Sequence, residues 1–440
     1  MVMPPSDAAA DPIEVGGELN PTVDTHISAT GTIELNLRKV SGWFITVYTL
    51  TMFGVNLVML APMLFGLAYK IQVIDPDAKE ASLGLVVGIG ALFNIVVTPL
   101  LGVLSDRTRL RWGRRRPWLV LGILLTAGSG FAIAVAPNVP LVLIGWVVYI
   151  IGLAAILAAV APVIAERVPE SQRGKVGALS GISTQLGGVA GTLIGSMLTG
   201  NLLLLFLLPV GVLAVLSLLY FVVIPDRPAR DDEREPIANV FRNMVFNPRK
   251  NADFAWVWLG RFLLQVGMTF FSTYQLYFLL DRLGLTPEAA GQKLALVGGI
   301  GILITMVFAI VGGILSDRLK RRKIFIYLAA AFAAAGLITA AFSPSFEIYF
   351  VATVLILAGA GLFGSVDLAM AGDVVPDKTK SGRWMSILNV SGYVPSAIAP
   401  IVAPLILMTG EGSNYTALFL AGALVATGAA ITTWRVRGVR

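Results

Sequence analysis

Apolar residues along this chain come in long unbroken runs, not in stripes along one helix face. LVLGILLTAGSGFAIAVA (119–136) and LLLLFLLPVGVLAVLSLLYFVVI (202–224) contain no charged side chain. About 20 apolar residues cross a bilayer core as a helix, so each run is an expected membrane span. The pattern predicts twelve, at 43–69, 83–104, 117–136, 140–164, 178–198, 203–224, 253–280, 294–315, 323–342, 346–370, 384–408 and 414–434. The longest linker, 225–252, contains the mixed-charge stretch PDRPARDDEREP and divides the spans six and six. The expected organisation is an unstructured tail (1–40), a six-helix bundle (41–224), this linker, a second bundle (253–434) and a short tail (435–440). Within the linker, Ile237, Val240, Phe241, Met244 and Val245 fall on one helical face, as in a helix lying at a membrane surface. The expected class is an all-α polytopic membrane protein.

Composition supports this and removes several kinds of chemistry. Hydrophobic residues make up 56% of the 440, and mean hydropathy is +0.81. With no cysteine and a single histidine, His26 in the polar N-terminal segment, thiolate metal sites and histidine-based triads inside the membrane are excluded. No cofactor or metal is expected, and no enzyme activity. The N-terminal segment lacks the basic and apolar regions of a signal peptide. Of the 33 Lys and Arg, 28 fall in the tails and in alternate loops, four on the opposite face (Lys70, Lys79, Arg282, Lys293) and one, Arg261, inside a span. Lys/Arg bias sets orientation, so both termini are expected in the cytoplasm, with the chain in the cell membrane. Six arginines crowd GVLSDRTRLRWGRRRPW (102–118), but a short loop pinned between two spans is a poor nucleic-acid surface.

Part of that loop repeats. Gly102-Val-Leu-Ser-Asp106-Arg107 is matched by Gly313-Ile-Leu-Ser-Asp317-Arg318, an offset of 211. After the fourth and tenth spans, Glu166-Arg-Val-Pro aligns with Asp373-Val-Val-Pro at an offset of 207. Two matches in the same order indicate a duplicated six-span unit, hence two pseudo-symmetric bundles. With these motifs the chain resembles the major facilitator superfamily over nearly its whole length after residue 40. The spacing of Glu166 to Arg173, and of Asp373 to Lys380, is similar to a partner motif of its sugar porters. SDRTRLRWGRRRPW resembles the loop of the glycoside–pentoside–hexuronide and sucrose–proton symporters.

The resemblance implies a cytoplasmic gate. Gly102 would allow close helix approach, Asp106 and Arg107 would latch the two halves, and Arg114, Arg115 and Arg116 would face Glu166. It also implies that the first, fourth, seventh and tenth spans line the cavity. Three departures matter. Asn94 and Thr98 stand where sodium-coupled relatives carry carboxylates, so no hard-cation site is expected there. The fourth span lacks the arginine many proton-coupled members place before the glycine at 152. The fifth has no Gly-Pro pair of the drug-antiporter kind; its Gly187, Gly191 and Gly195 read as a close-packing stripe.

An ionisable residue inside a span costs at least about 2.5–3.5 kcal/mol and marks function by default. Arg261 and Asp367 lie about 12 and 9 Å deep, counting roughly 1.5 Å per residue from the same face. They are expected to form a charge pair that responds to protonation, or else a static pair holding helix register. The candidates for contacting a hydroxylated solute are Tyr48, Asn56, Trp146, Tyr149, Gln265, Tyr274, Gln275, Asn389 and Tyr393. Amides lead this group, because an amide in apolar surroundings must find a partner. The expected function is proton-coupled symport of a sugar-like solute by alternating access, by a monomer in the lipid bilayer. Export of amphipathic compounds, or a non-transporting sensor with the same fold, are the alternatives.

Overall fold

The computed structural model describes residues 23–27, 33–226, 246–377, 381–409 and 412–436. Twelve long helices occupy the twelve expected spans. The first half comprises α1 (Gly42–Ile74), α2 (Lys79–Asp106), α3 (Arg116–Val135), α4 (Val139–Arg167), α5 (Glu170–Met197) and α6 (Leu202–Val223). The second comprises α7 (Ala252–Asp281), α8 (Pro287–Leu319), α9 (Arg322–Ala341), α10 (Phe346–Val374), α11 (Ser381–Leu407) and α12 (Tyr415–Arg435). Pro62 sits in the one π-helical turn that α1 contains, Pro62–Gly66. Among the described residues, eleven of these helices are long and apolar enough to cross a membrane. The twelfth, α5, is diluted by glycine, serine and threonine.

The chain directs each turn with local signals. Side-chain oxygens of Asn138, Asn201, Thr286 and Asn414 accept from Leu141, Leu204, Ala289 and Ala417 backbone N–H groups, capping α4, α6, α8 and α12. These caps all stand at the end of the bundle opposite the arginine-rich loop. Ahead of α1, where an unstructured tail was the expectation, β1 (Val23–Ile27) and β2 (Ile33–Leu37) pair antiparallel, with Val23 opposite Leu37 and Ile27 opposite Ile33. Alternating apolar and polar residues in VDTHI and IELNL account for it. The amphipathic linker segment 237–245 lies outside the described residues.

The halves meet where α2 packs on α11 and α5 on α8. The glycine stripe of α5 does what its spacing implies. A methyl on Gly187 would lie 2.9 Å from Asn56 Cβ, one on Gly191 2.8 Å from Ala61 Cα, and one on Gly195 2.6 Å from Phe65. Three successive turns of α5 therefore lie against α1 with no room for a side chain. Between lipid-solvated helices such contact is a main source of cohesion, since apolar burial gains little over lipid.

Gly191→Ala should lower the thermal midpoint of the purified protein, at a cost of about 1–3 kcal/mol for overpacking against backbone atoms. Gly181→Ala, where an added Cβ meets nothing within 4 Å, should leave it unchanged or raise it slightly through helix propensity. Thermal unfolding followed by tryptophan fluorescence checks both.

Candidate functional site

A cavity of about 400 Å³ lies at the seam of the halves, lined from α1, α5, α7, α8 and α10. From α7 it takes Gln265, Met268, Ser272 and Gln275, a run of three- and four-residue steps that defines one helical face. Extending that face one turn toward the arginine-rich end reaches Arg261. The α10 lining of Thr353, Ile356, Leu357 and Ala360, extended by seven residues, reaches Asp367. Arg261 Nη1 donates to Asp367 Oδ2, and the carboxylate is buried. Gly392 on α11 leaves room for the guanidinium, which a methyl there would approach to 3.8 Å. The two intramembrane charges are thus brought together just beyond the cavity. A buried pair adds little net stability, because desolvating both ions offsets their attraction, so its retention points to use.

The solute candidates divide. Gln265 and Gln275 line the cavity, and Gln275 Oε1 accepts from Tyr349 OH at 3.4 Å. The others do not. Asn56 is occupied locally, donating to Met52 O at 2.7 Å beneath Gly187. Tyr48 donates to Val160 O, and Tyr149 to Val58 O at 2.8 Å while stacking on Trp146 at 5.4 Å. These fourth-span aromatics cross-brace the first half. Tyr274 OH lies at the opposite end, 3.0 Å from Pro400 O and 3.2 Å from Glu80 O, and its one proton serves these backbone carbonyls. Asn389 and Tyr393 are exposed and outside the lining. In their place the cavity recruits Thr184, Gln185 and Thr192 of α5 and Thr353 of α10. A search over the first, fourth, seventh, tenth and eleventh spans passes over α5, although Gln185 carries the same signal as Gln265, an amide within an apolar segment.

At the arginine-rich end the first half is tied by one buried guanidinium. Arg115 pairs with Asp106 at 2.6 Å and with Glu166, and donates to Ala158 O at 3.0 Å. Arg114 also reaches Glu166, at 2.8 Å. Arg116 turns away, donating to Phe221 O at 2.6 Å. Arg173 lies near Glu166 in sequence but donates to Val168 O and Ala165 O, both at 3.0 Å, so it caps the α4–α5 turn instead of pairing with that acid. Asp106, expected in a latch between the halves, pairs here with Arg115 of its own half. Gly102 faces open space, with nothing within 4 Å of an added methyl, so the close approach expected of it is not made in this conformation. Around Gly313 only Ser365 comes within 4 Å of an added methyl, at 3.7 Å. Arg107, Asp317 and Arg318 are exposed at the helix ends.

In the second half Arg322 pairs with Asp373 at 2.5 Å, and this is a repeat feature the sequence reading missed. Arg115 to Glu166 and Arg322 to Asp373 each span 51 residues. The 207-residue offset that relates the two acids also relates the two arginines, and could have found Arg322. Lys380, expected opposite Asp373, lies outside the described residues. A second missed residue is Asp226, whose Oδ2 accepts from Arg115 N at 2.8 Å and Arg116 N at 2.9 Å, capping α3 from the far end of α6. Gly113 makes room for it, with φ of +108° and only 2.1 Å from its own added methyl to that oxygen.

The family model described as the Major Facilitator Superfamily matches residues 42–363 and 257–439. A protein of Synechocystis sp., described as an uncharacterized symporter, is 51% identical over 41 residues, 9% of this chain and 8% of its own. The chain spans between 8% and 34% of the length of the curated relatives it matches. Among solved structures, the nucleoside transporter NupG aligns over 90% of this chain and 99% of its own, with a TM-score of 0.68 and 14% identity. A D-xylose–proton symporter aligns over 91% and 98%, with a TM-score of 0.67 and 17% identity. At such identities these two establish the fold alone.

Gly113→Ala should destabilise the protein by about 1–3 kcal/mol, through left-handed backbone strain and collision with Asp226. In an Asp226→Gly background the same change should cost less, since only the backbone strain remains. A double-mutant cycle on thermal unfolding measures the difference.

Proposed function

The chain belongs to the major facilitator superfamily, and on that premise we propose that this transporter moves a small hydroxylated solute, of the sugar class, in symport with protons. The observation that carries the reading is the Arg261–Asp367 pair, set on the same helical faces that line the cavity. In this reading the arginine-rich loops face the cytoplasm, following the Lys/Arg bias. Gln185, Gln265, Ser272, Gln275 and Thr353 offer donors and acceptors to solute hydroxyls, while Phe271 and Met268 present flat or pliable apolar surface to a ring face. A nucleoside, with its ribose hydroxyls, shares part of this chemistry.

Coupling follows from charge balance. While Asp367 is ionised it holds Arg261. A proton arriving on its carboxylate removes the negative charge, releases the guanidinium, and frees α7 and α10 to shift against one another. Solute bound between α5 and α7 draws the halves together. Proton and solute thereby act on the same helices, and the halves rock about the cavity to expose it to each side in turn. Asn94 and Thr98, hydrogen-bonded to each other at 2.7 Å, supply no carboxylate for sodium. Export of an amphipathic compound is the second reading, favoured by the leucines, valines and isoleucine that share the lining.

Asp367→Asn should abolish uphill accumulation in vesicles under an imposed proton gradient while leaving equilibrium exchange; retained accumulation would remove Asp367 from coupling. Gradients of either sign separate uptake from export. In a thermal-shift screen of monosaccharides, disaccharides and nucleosides, a binder at 100 times its Kd should stabilise the protein by about 2.7 kcal/mol. Gln265→Ala and Gln275→Ala should each weaken that binder about tenfold, the worth of one hydrogen bond of about 1.4 kcal/mol.

A further inference from the structure

Another cavity, of about 530 Å³, opens at the arginine-rich end, where the chain enters α7. Pro248 and Arg249 form one side of it. Ala252, Ala255, Trp256 and Leu259, a single face of α7, form the other. Both walls are fixed from behind. The Phe246 ring meets Phe254 edge-on at 5.2 Å and Trp384 at 6.2 Å, and these two buried aromatics pin the incoming segment. Trp258 donates its indole N–H to Ile387 O at 3.0 Å and stacks on Phe262 at 5.6 Å, which holds this part of α7 against α11. From the last turn of α12, Arg435 reaches across, its guanidinium 5.7 Å from the Trp256 ring and 5.8 Å from the Trp434 ring. Arg249, Trp434 and Arg435 are all exposed.

The chemistry of this cavity changes along its length. Ala252 to Leu259 covers about 10 Å of helix, at roughly 1.5 Å per residue. The rim before Ala252 carries guanidinium groups, and the wall below it is methyl, indole and leucine. Among the described residues the lining holds no acid. A neutral polar solute would leave the arginines unanswered and lay its hydroxyls against apolar carbon. A free anion would use the rim but not the wall, and an uncharged lipid the wall but not the rim. An anion joined to hydrocarbon uses both. The surroundings fit that ligand, because Trp256 and Trp434 stand at the ends of two membrane-crossing helices, where indoles favour the headgroup level. A guanidinium stacked on indole keeps its N–H edge for a phosphate oxygen, and its weak hydration makes that contact cheaper than for an ammonium.

We propose that this cavity binds an anionic diacyl phospholipid, with Arg249 and Arg435 serving its phosphate and the upper part of an acyl chain lying along Ala252, Trp256 and Leu259. The proposal needs only that α7 and α12 stand in a bilayer; it depends on neither the solute nor the coupling ion. The site is separate from the cavity at the seam, whose α7 face begins at Gln265. A phospholipid held here braces the two turns of α7 that precede Arg261.

Bromine on an acyl chain quenches a tryptophan it touches. The full chain, reconstituted in phosphatidylcholine vesicles with a minor share of brominated phosphatidylglycerol, should be quenched more than with the same share of brominated phosphatidylcholine. The chain has eight tryptophans, so Trp256→Phe isolates the one at issue, and most of the excess quenching should vanish in it. Arg249→Gln and Arg435→Gln should each lower the preference for phosphatidylglycerol about fivefold, the effect of one basic side chain at an anionic surface. Arg282→Gln removes the same charge at the opposite end of α7 and should leave the preference unchanged. Equal quenching by the two lipids, an excess undiminished in Trp256→Phe, or arginine variants that match Arg282→Gln would each overturn the site. Two further results would also overturn it. If neither lipid quenches Trp256, the cavity is filled by residues 237–245 or by a second copy of the chain. If glycerol 3-phosphate in solution displaces the lipid, the site belongs to a soluble phosphate.

Discussion

Polar groups placed where water cannot reach them must be satisfied inside the protein. In this chain that requirement governs the charges placed inside the bundle. Lysines, arginines and acids gather at the two ends of the bundle, where Arg115 gathers Asp106 and Glu166 at one end and Lys79 meets Asp281 at the other. Between the ends, Arg261 and Asp367 meet across α7 and α10. The packing obeys the same constraint. Serine and threonine hydroxyls along the helices mostly bond back to their own preceding turn, as Thr51 does to Val47 O and Ser217 to Leu213 O. That leaves few side-chain groups free to contact a solute, and Gln265 and Gln275 stand out for this reason.

The duplication explains much of the architecture, and the two halves depart from it in where their charges pair. Both halves place an arginine at the start of their third helix against an acid at the end of the fourth, as Arg115–Glu166 and Arg322–Asp373. The first half elaborates this into a network with Asp106 and Asp226, which fixes α2, α3, α4 and α6 as one unit. The second half keeps the Arg322–Asp373 pair and adds the Arg261–Asp367 bond, whose acid has no counterpart in the first: the 207 offset carries Asp367 onto Val160. One half is thus braced by a network at its end, and the other holds an ion pair within its apolar helices.

Membrane character, span positions, loop bias and the duplication were all legible in the residues, because each rests on local composition or on spacing that survives any packing. The Arg261–Asp367 pair was legible for a related reason: two lone charges at similar depth in apolar helices have few other partners. The packing stripe of α5 was legible too, since glycines four apart define a face whatever lies opposite. The aromatic candidates of α1 and α4 were not. Nothing in Tyr48 or Tyr149 says whether a hydroxyl looks into a cavity or braces a neighbouring carbonyl, and that depends on helix rotation.

What the sequence determined by itself, then, is what one-dimensional patterns control: twelve hydrophobic lengths, their pairing into two repeats, and the charges that cannot be left alone. The tertiary structure decided which faces meet. It turned α5 and α8 into cavity walls, brought Asp226 from the end of α6 to the start of α3, and set Tyr415 between Glu80 and Asp281. Those outcomes depend on helix rotation and on contacts between residues 111 to 335 positions apart. They arise from the summed packing of many side chains, and no single stretch of the chain contains that information.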